Sequence, residues 1–241
     1  MSPITWTPDA VLSEASRRSV IVWRMVESQH TASTMKLVDS SAEQDILEEI
    51  IEAHKPSFPA SLSNLDYLLA APFRYAPYPP GSRFRSPTDL GVFYASESVR
   101  TAAAEVGYWR WRFLQESAGL DRLGPAAHTA FSVPVDALGV DLQIPPFDRE
   151  SATWMSRGDY SGTQLFASVA RIAEIDAIFY RSVRDPEPSW CVALLSPKAF
   201  AAALPDPATQ TWHLAVTKEE AIWRRPFGGM YSFSTDFWKS G

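Results

Sequence analysis

The order of the predicted elements is the feature that most limits how this chain can fold. Segments rich in β-branched and aromatic residues, which favour strands, recur from 19–28 ("SVIVWRMVES") to 214–226 ("LAVTKEEAIWRRP"). Helical patterns are fewer, and they do not alternate strictly with these segments. This order favours an α+β fold, with mixed or antiparallel sheets and flanking helices, over a doubly wound parallel sheet.

Local patterns place the individual elements. The clearest helix is 41–56, because Ser41 and Gln44 form a capping-box pattern at its start and Pro56 ends it. The proline-rich stretch 64–91 is predicted to hold strand fragments and an ordered loop. The remaining helices are predicted at 8–18, 97–114 and 163–174, and the remaining strands at 91–95, 128–135, 137–143, 176–183 and 189–195.

Composition narrows the class of protein. A chain of 241 residues, 46% of them hydrophobic, can bury a substantial core, and no linker or repeat divides it, so we predict one domain. The net charge of −6 argues against direct binding to nucleic acid. The N-terminus has no signal-peptide pattern, and no apolar run approaches the roughly 18 residues of a membrane span, so we expect a cytoplasmic protein without membrane contact.

Standard catalytic and metal-binding motifs are missing from the sequence. Cys191 is the only cysteine, and the four histidines show no HxxxH or HExxH spacing, so no metal site is predicted. The sequence also has no GxGxxG, GxxxxGK[ST] or GxSxG motif. The candidates for function are therefore isolated polar residues.

Three such residues stand out. Arg24 lies in an apolar strand, where a guanidinium is costly to bury unless it meets an anion, although an edge-strand arginine can also reach water. Ser161 lies at the start of a helix, where a hydroxyl and free N–H groups can bind an anion or can simply cap the helix. Glu105 follows three alanines and has no lysine or arginine three or four residues away, which a solvated helix glutamate often has.

The segments around these residues resemble the RES-domain family, named for its arginine, glutamate and serine. By this resemblance the family's arginines are Arg24 and Arg83, its tyrosine is Tyr94, its glutamate is Glu105 and its serine is Ser161. The resemblance predicts one RES domain over residues 1–241, with a core at about 20–226 and an insertion at about 31–80. The segments are "VWRMVES", "GSRFR", "GVFYASESVRTAAAE" and "DYSGTQLFASVA".

The sequence departs from the family pattern at one position. Some shorter members have an aromatic residue directly after the first arginine, where this chain has Met25. If that aromatic residue stacks on the ligand, the contact here would come from Trp23, Phe84 or Tyr94.

The resemblance implies the toxin of a Xre–RES toxin–antitoxin pair, with a fold similar to that of ADP-ribosyltransferase toxins and NAD as the consumed substrate. Glu105 would stabilise the cationic transition state, and Arg24 and Arg83 would bind the pyrophosphate. Tyr94 would stack on the nicotinamide or the ribose. Ser161 would hydrogen-bond the nicotinamide amide, a phosphate or Glu105. The expected partner is a Xre-type antitoxin, and no metal is implied.

The sequence leaves the acceptor of the ADP-ribose open. Water would make the protein a glycohydrolase, phosphate a phosphorylase, and a protein target an ADP-ribosyltransferase. A non-catalytic dinucleotide-binding protein is the alternative of a different class. A DNA-binding regulator ranks well behind, because the chain is acidic and has no helix-turn-helix pattern.

Overall fold

Eight strands pair into one mixed sheet in the part of the chain that the structure describes. This computed structural model describes residues 6–28, 38–54, 59, 62–74 and 81–239. The order across the sheet is β1-β2-β5-β4-β3-β6-β7-β8. β3 and β4 run parallel, and the other neighbours run antiparallel. The strands are β1 (Ser16–Glu27), β2 (Phe93–Ser96), β3 (Arg122–Asp141), β4 (Ala177–Arg181), β5 (Trp190–Leu194), β6 (Gln210–Thr217), β7 (Glu220–Arg224) and β8 (Met230–Ser234).

An additional pairing closes part of the sheet on itself. β1 pairs with β3 along its whole length as well as with β2, so β1, β2, β5, β4 and β3 form a ring of five strands. β6, β7 and β8 continue from the N-terminal half of β3. The pairing between β1 and β2 is the shortest in the ring, because Trp23 and Ser96 are its one matched pair of residues. Arg24 follows directly after that pair.

Helices flank this sheet, and α4 packs across β1 and β6. Its buried alanines and Gly107 allow the helix to lie close to the aromatic core. A Cβ at Gly107 would meet the Trp238 ring at 3.3 Å and the Trp223 ring at 3.4 Å. No described helix is long and apolar enough to cross a membrane. The helices are α1 (Pro8–Ser13), α2 (Ser41–His54), α3 (Tyr67–Arg74), α4 (Val99–Glu116), α5 (Ser151–Trp154), α6 (Ser161–Ile172) and α7 (Asp236–Lys239).

The α+β class with a mixed sheet and flanking helices is therefore confirmed. The predicted irregularity of 64–91 is wrong for α3, which forms despite Pro72 inside it. Leu69, Ala70 and Phe73 are buried there, and tertiary packing of that face outweighs the hydrogen bond that a proline loses. α2 and α3 lie within the predicted insertion at 31–80, of which 31–37, 55–58, 60–61 and 75–80 lie outside the described residues.

Two strand predictions also need correction. The predicted strands at 128–135 and 137–143 are one strand, β3. The polar residue between them, Asp136, stays in the strand because Arg17 and Ser19 of β1 donate hydrogen bonds to its carboxylate. The single strand predicted at 214–226 is the hairpin of β6 and β7. β8 and α7, which follow it, were not predicted.

Candidate active site

A cavity of about 230 Å³ lies where β1, β2 and α4 meet. Residues from β4, β5 and the turn at 81–85 complete its walls. Four of the five residues assigned through the RES-domain resemblance line this cavity: Arg24, Arg83, Tyr94 and Glu105. These four residues come from four separate parts of the chain and line one space, although their roles in it stay predictions. The cavity is smaller than the roughly 300–1,000 Å³ of typical ligand pockets, so it can enclose only part of a dinucleotide.

Glu105 reaches the cavity from α4. The helix begins with Ser98 as its N-cap, whose side chain accepts a hydrogen bond from the Thr101 N–H at 3.2 Å. Ser182, which follows β4, donates its hydroxyl hydrogen to Glu105 Oε1 at 2.6 Å. The direction of that bond is fixed, because the Ser182 oxygen itself accepts from the N–H groups of Arg184 (3.2 Å) and Asp185 (3.1 Å). One carboxylate oxygen is therefore anchored by a charge-assisted hydrogen bond.

The other polar neighbours of Glu105 are neutral. Cys191 lies on β5, with its sulfur 3.7 Å from Glu105 Oε1. Burial raises the pKa of the Cys191 thiol well above its usual range, and the charge of Glu105 raises it further. Burial also raises the pKa of Tyr180 well above its usual range. Because a thiol is nucleophilic only when ionised, Cys191 is not a candidate nucleophile, and Glu105 is the one acidic lining residue.

Arg24 is a largely buried cation without a counter-ion. Its Nη1 donates to the backbone oxygen of Tyr94 at 2.8 Å, and its guanidinium lies 4.6 Å from the centre of the Phe93 ring. Its Nε is buried without a hydrogen-bond partner, and no carboxylate among the described residues pairs with it. Burial lowers the pKa of Arg24 to about 10. An anion bound in the cavity would offset the free-energy cost of this desolvation by pairing with the guanidinium.

The turn at 81–85 brings Arg83 to the cavity. Arg83 Nη1 donates to the backbone oxygen of Trp154 at 2.8 Å, and the guanidinium lies 4.8 Å from the centre of the Tyr160 ring. Glycine is required at position 81, since a Cβ there would come within 2.4 Å of the Arg85 backbone oxygen. The "GSRF" element is thus a tight turn that directs one arginine inward.

Tyr94 fixes that turn against β2. Its hydroxyl accepts from the Phe84 N–H at 2.9 Å and lies 2.8 Å from Ser82 Oγ. Burial raises the pKa of Tyr94. Of the three aromatic residues proposed to compensate for Met25, Trp23 and Tyr94 line the cavity. Phe84 is fully buried instead, against Tyr180.

Comparison with known proteins adds a family to this geometry. A family model described as "RES domain" matches residues 59–217. The chain belongs to the RES-domain family. Among solved structures, the M. tuberculosis MbcT–MbcA toxin–antitoxin complex matches with 12% identity and a TM-score of 0.43, over 93% of this chain and 90% of that chain. No curated protein matches the sequence at a significant level.

Ser161 does not line the cavity of this RES domain in the described structure. It is the exposed first residue of α6, and its N–H donates to Asp159 Oδ1 at 2.9 Å. Its side chain also bonds Asp159, and these two bonds lower the pKa of that carboxyl. Glu105 was one of the three hydrogen-bond partners expected for Ser161, but in the structure Ser182 forms that hydrogen bond. Sequence reasoning missed Ser182, although "IFYRSVRD" holds a serine directly at the end of a buried strand.

Arg184 of the RES domain was missed as well. It is 2% exposed and lines the cavity, with its guanidinium 3.4 Å from the centre of the Tyr108 ring. The segment that carries it is held from two sides. Asp185 binds Arg100 and the Thr101 hydroxyl, and Trp238 Nε1 of α7 donates to the Arg184 backbone oxygen at 2.8 Å. α7 therefore supports the cavity wall from outside.

Proposed function

We propose that this RES domain is the toxin of a toxin–antitoxin pair and that it cleaves the nicotinamide–ribose bond of NAD. The observation that carries the proposal is one anchored carboxylate, Glu105, in a cavity that also holds Arg24, a cation that pairs with no carboxylate in the described part of the chain. Family membership supports the same reading. NAD matches both groups, because its pyrophosphate is an anion that Arg24 can bind and its nicotinamide–ribose bond breaks through a cationic state that Glu105 can stabilise.

The reaction needs few groups from the protein. The bond between the anomeric carbon and the nicotinamide nitrogen breaks, and its electron pair leaves with neutral nicotinamide. The ribose is left with an oxocarbenium-like positive charge, which the Glu105 carboxylate stabilises. Ser182 fixes one carboxylate oxygen, so the group needs no reorganisation when that charge develops. The acceptor then bonds to the anomeric carbon and completes the transfer.

Arg24 and Arg83 suit the pyrophosphate of NAD, and Tyr94 suits the nicotinamide or ribose. A guanidinium presents several donors in one plane, which match phosphate oxygens. The cavity of about 230 Å³ encloses the reacting end of the substrate in this proposal, and the adenosine extends out of it. The substrate is consumed, and the chemistry calls for no metal.

Product analysis tests the proposal. The purified protein is incubated with NAD, with and without phosphate and a host-cell extract, and small molecules and proteins are analysed by mass spectrometry. Release of nicotinamide together with ADP-ribose, ADP-ribose phosphate or a protein adduct identifies water, phosphate or a protein side chain as the acceptor. NAD that binds but stays intact would make the protein a dinucleotide-binding protein instead.

An antitoxin partner follows from the proposal, because an unrestrained NAD-consuming enzyme would kill its host, and the family resemblance implies that this partner is of Xre type. We expect the antitoxin to occlude the cavity, with a carboxylate or C-terminus pairing with Arg24 or Arg83 in place of the pyrophosphate. A NAD analogue with a carbon-linked nicotinamide at 100 times its Kd then weakens antitoxin binding about 100-fold in calorimetry. Unchanged affinity would mean that the antitoxin binds outside the cavity.

Serine variants separate the two candidate serines. Ser182→Ala removes the hydrogen bond that anchors Glu105, and we expect NAD turnover to fall about 10- to 100-fold. Ser161→Ala loses only the side-chain hydrogen bond to the exposed Asp159 and keeps the N–H that donates to the same carboxylate, so it serves as the matched control with turnover near wild type. The measurement is nicotinamide release at saturating NAD. The opposite ranking would return the role to Ser161.

A further inference from the structure

Arg184, like Arg24 and Arg83, carries a guanidinium that forms no ion pair with any acid among the described residues. Its Nη2 donates to the Arg157 backbone oxygen and lies 3.3 Å from the Tyr160 hydroxyl, while its Nη1 has no hydrogen-bond partner. The adjacent acid, Asp185, is taken by Arg100 and Thr101. Within the described ranges, no carboxylate lies within ion-pair distance of Arg184.

Arg100 shows what a structural arginine looks like in the same region. Asp185 and Glu187 both pair with it, so its charge is neutralised inside the protein. Arg184 has only a ring, a hydroxyl and a backbone oxygen, which attract a cation but do not neutralise it. A buried charge left in this state is stabilised by a ligand of opposite charge.

The charges along the cavity indicate the charge of that ligand. Three lining residues are cations (Arg24, Arg83 and Arg184) and one is an anion (Glu105), an excess of two positive charges in a chain whose net charge is −6. A pyrophosphate diester carries two negative charges. The net charge of the lining residues is thus opposite in sign to that of the whole protein. Its magnitude of two equals that of the charge on a pyrophosphate diester.

We propose that Arg184 binds a phosphate group of the substrate, together with Arg24. The identity of the substrate rests on the proposed NAD function, whereas the demand for an anion rests on Arg184 itself. The backbone N–H of Arg184 donates to Ser182 Oγ, and the Ser182 hydroxyl in turn donates to the Glu105 carboxylate. A phosphate held by Arg184 therefore sits on the segment that also anchors the carboxylate. The bound phosphate in turn fixes the position of the ribose relative to the Glu105 carboxylate. Arg184 is therefore a binding and positioning residue.

Calorimetry with ADP-ribose, adenosine and inorganic phosphate tests this assignment, because none of these probes contains the scissile bond. Arg184→Met keeps much of the side-chain length and removes the charge. We expect it to weaken ADP-ribose binding about 10- to 100-fold and to leave adenosine binding unchanged, since adenosine has no phosphate. Arg181→Met is the matched control, because Arg181 is exposed at the end of β4, and it should bind ADP-ribose as wild type does.

Arg184→Lys covers the case in which the methionine variant does not fold. Lysine keeps the charge but not the planar set of donors, so we expect about 3- to 10-fold weaker ADP-ribose binding in a folded protein. Wild-type affinity for ADP-ribose in both arginine variants would overturn the inference and leave the proposed function standing. A loss confined to inorganic phosphate would also overturn it, because the anion would then be a free phosphate. Failure of the wild type to bind ADP-ribose would instead count against the proposed function.

Discussion

Glu105→Gln lowers the rate of NAD cleavage by about 10²–10³, which is the usual effect of removing one preorganised electrostatic group. The amide keeps the shape of the carboxylate and can still accept the hydrogen bond from Ser182 through its oxygen. What it lacks is the negative charge that meets the positive charge of the ribose in the transition state. The measurement is nicotinamide release under single-turnover conditions, and expression of the variant should no longer be toxic to cells.

Glu116→Gln is the control for this experiment. Glu116 ends the same helix, and it pairs with Arg112 at the exposed surface, away from the cavity. We expect wild-type turnover and toxicity from this variant. A folded Glu105→Gln protein that cleaved NAD at the wild-type rate would remove Glu105 from the mechanism.

Arg24→Met is expected to lose NAD binding and to gain stability. The folded state lowers the pKa of Arg24 to about 10, below its ordinary value, because burial disfavours the charged form. The charged guanidinium therefore opposes folding at every pH below about 10, and this penalty fades only as the pH rises toward the unfolded value. At neutral pH a methionine removes the penalty, and we expect a gain of about 1–3 kcal/mol in unfolding free energy.

Denaturant titration and NAD binding measure the two effects of Arg24→Met separately. NAD affinity should fall about 100-fold, and Arg24→Lys should not restore it, because a point ammonium cannot make the planar contact with an anion. Arg17→Met is the control on the same strand. Arg17 is exposed and pairs with Asp136, so its loss should change stability little and should not affect NAD binding. A destabilised Arg24→Met protein that binds NAD normally would show that Arg24 is structural.

The sequence predicted the residues that line the cavity better than the hydrogen bonds that hold them in place. Arg24 and Glu105 were found because each is a charged residue in an apolar segment, a contrast that is visible without coordinates. Ser182 and Arg184 were not found, because the end of β4 and the side chain of Glu105 meet only through the packing of α4 on the sheet. Ser161 was assigned a role through the family resemblance, because its position at a helix start fits an ordinary cap equally well.

The fold shows the same division between local and distant information. α4 and the strands around it carry their periodicity in their own residues. α3 was missed because its proline outweighs its apolar face in any local reading, and only burial of Leu69 and Phe73 decides the outcome. The closed ring of strands was also out of reach, since the β1–β3 pairing joins residues about a hundred positions apart.

That ring determines when a growing chain acquires its cavity. β2 pairs with β5, whose last residue is Leu194, so the ring stays open until that residue has left the ribosome. At about 5–20 residues per second, synthesis from Glu105 to Leu194 takes on the order of 5–20 s. Throughout this time the nascent chain contains Glu105 but lacks β5, which forms part of the cavity wall. Translation therefore imposes a delay between the synthesis of Glu105 and the closure of the ring, which the proposed binding of NAD requires.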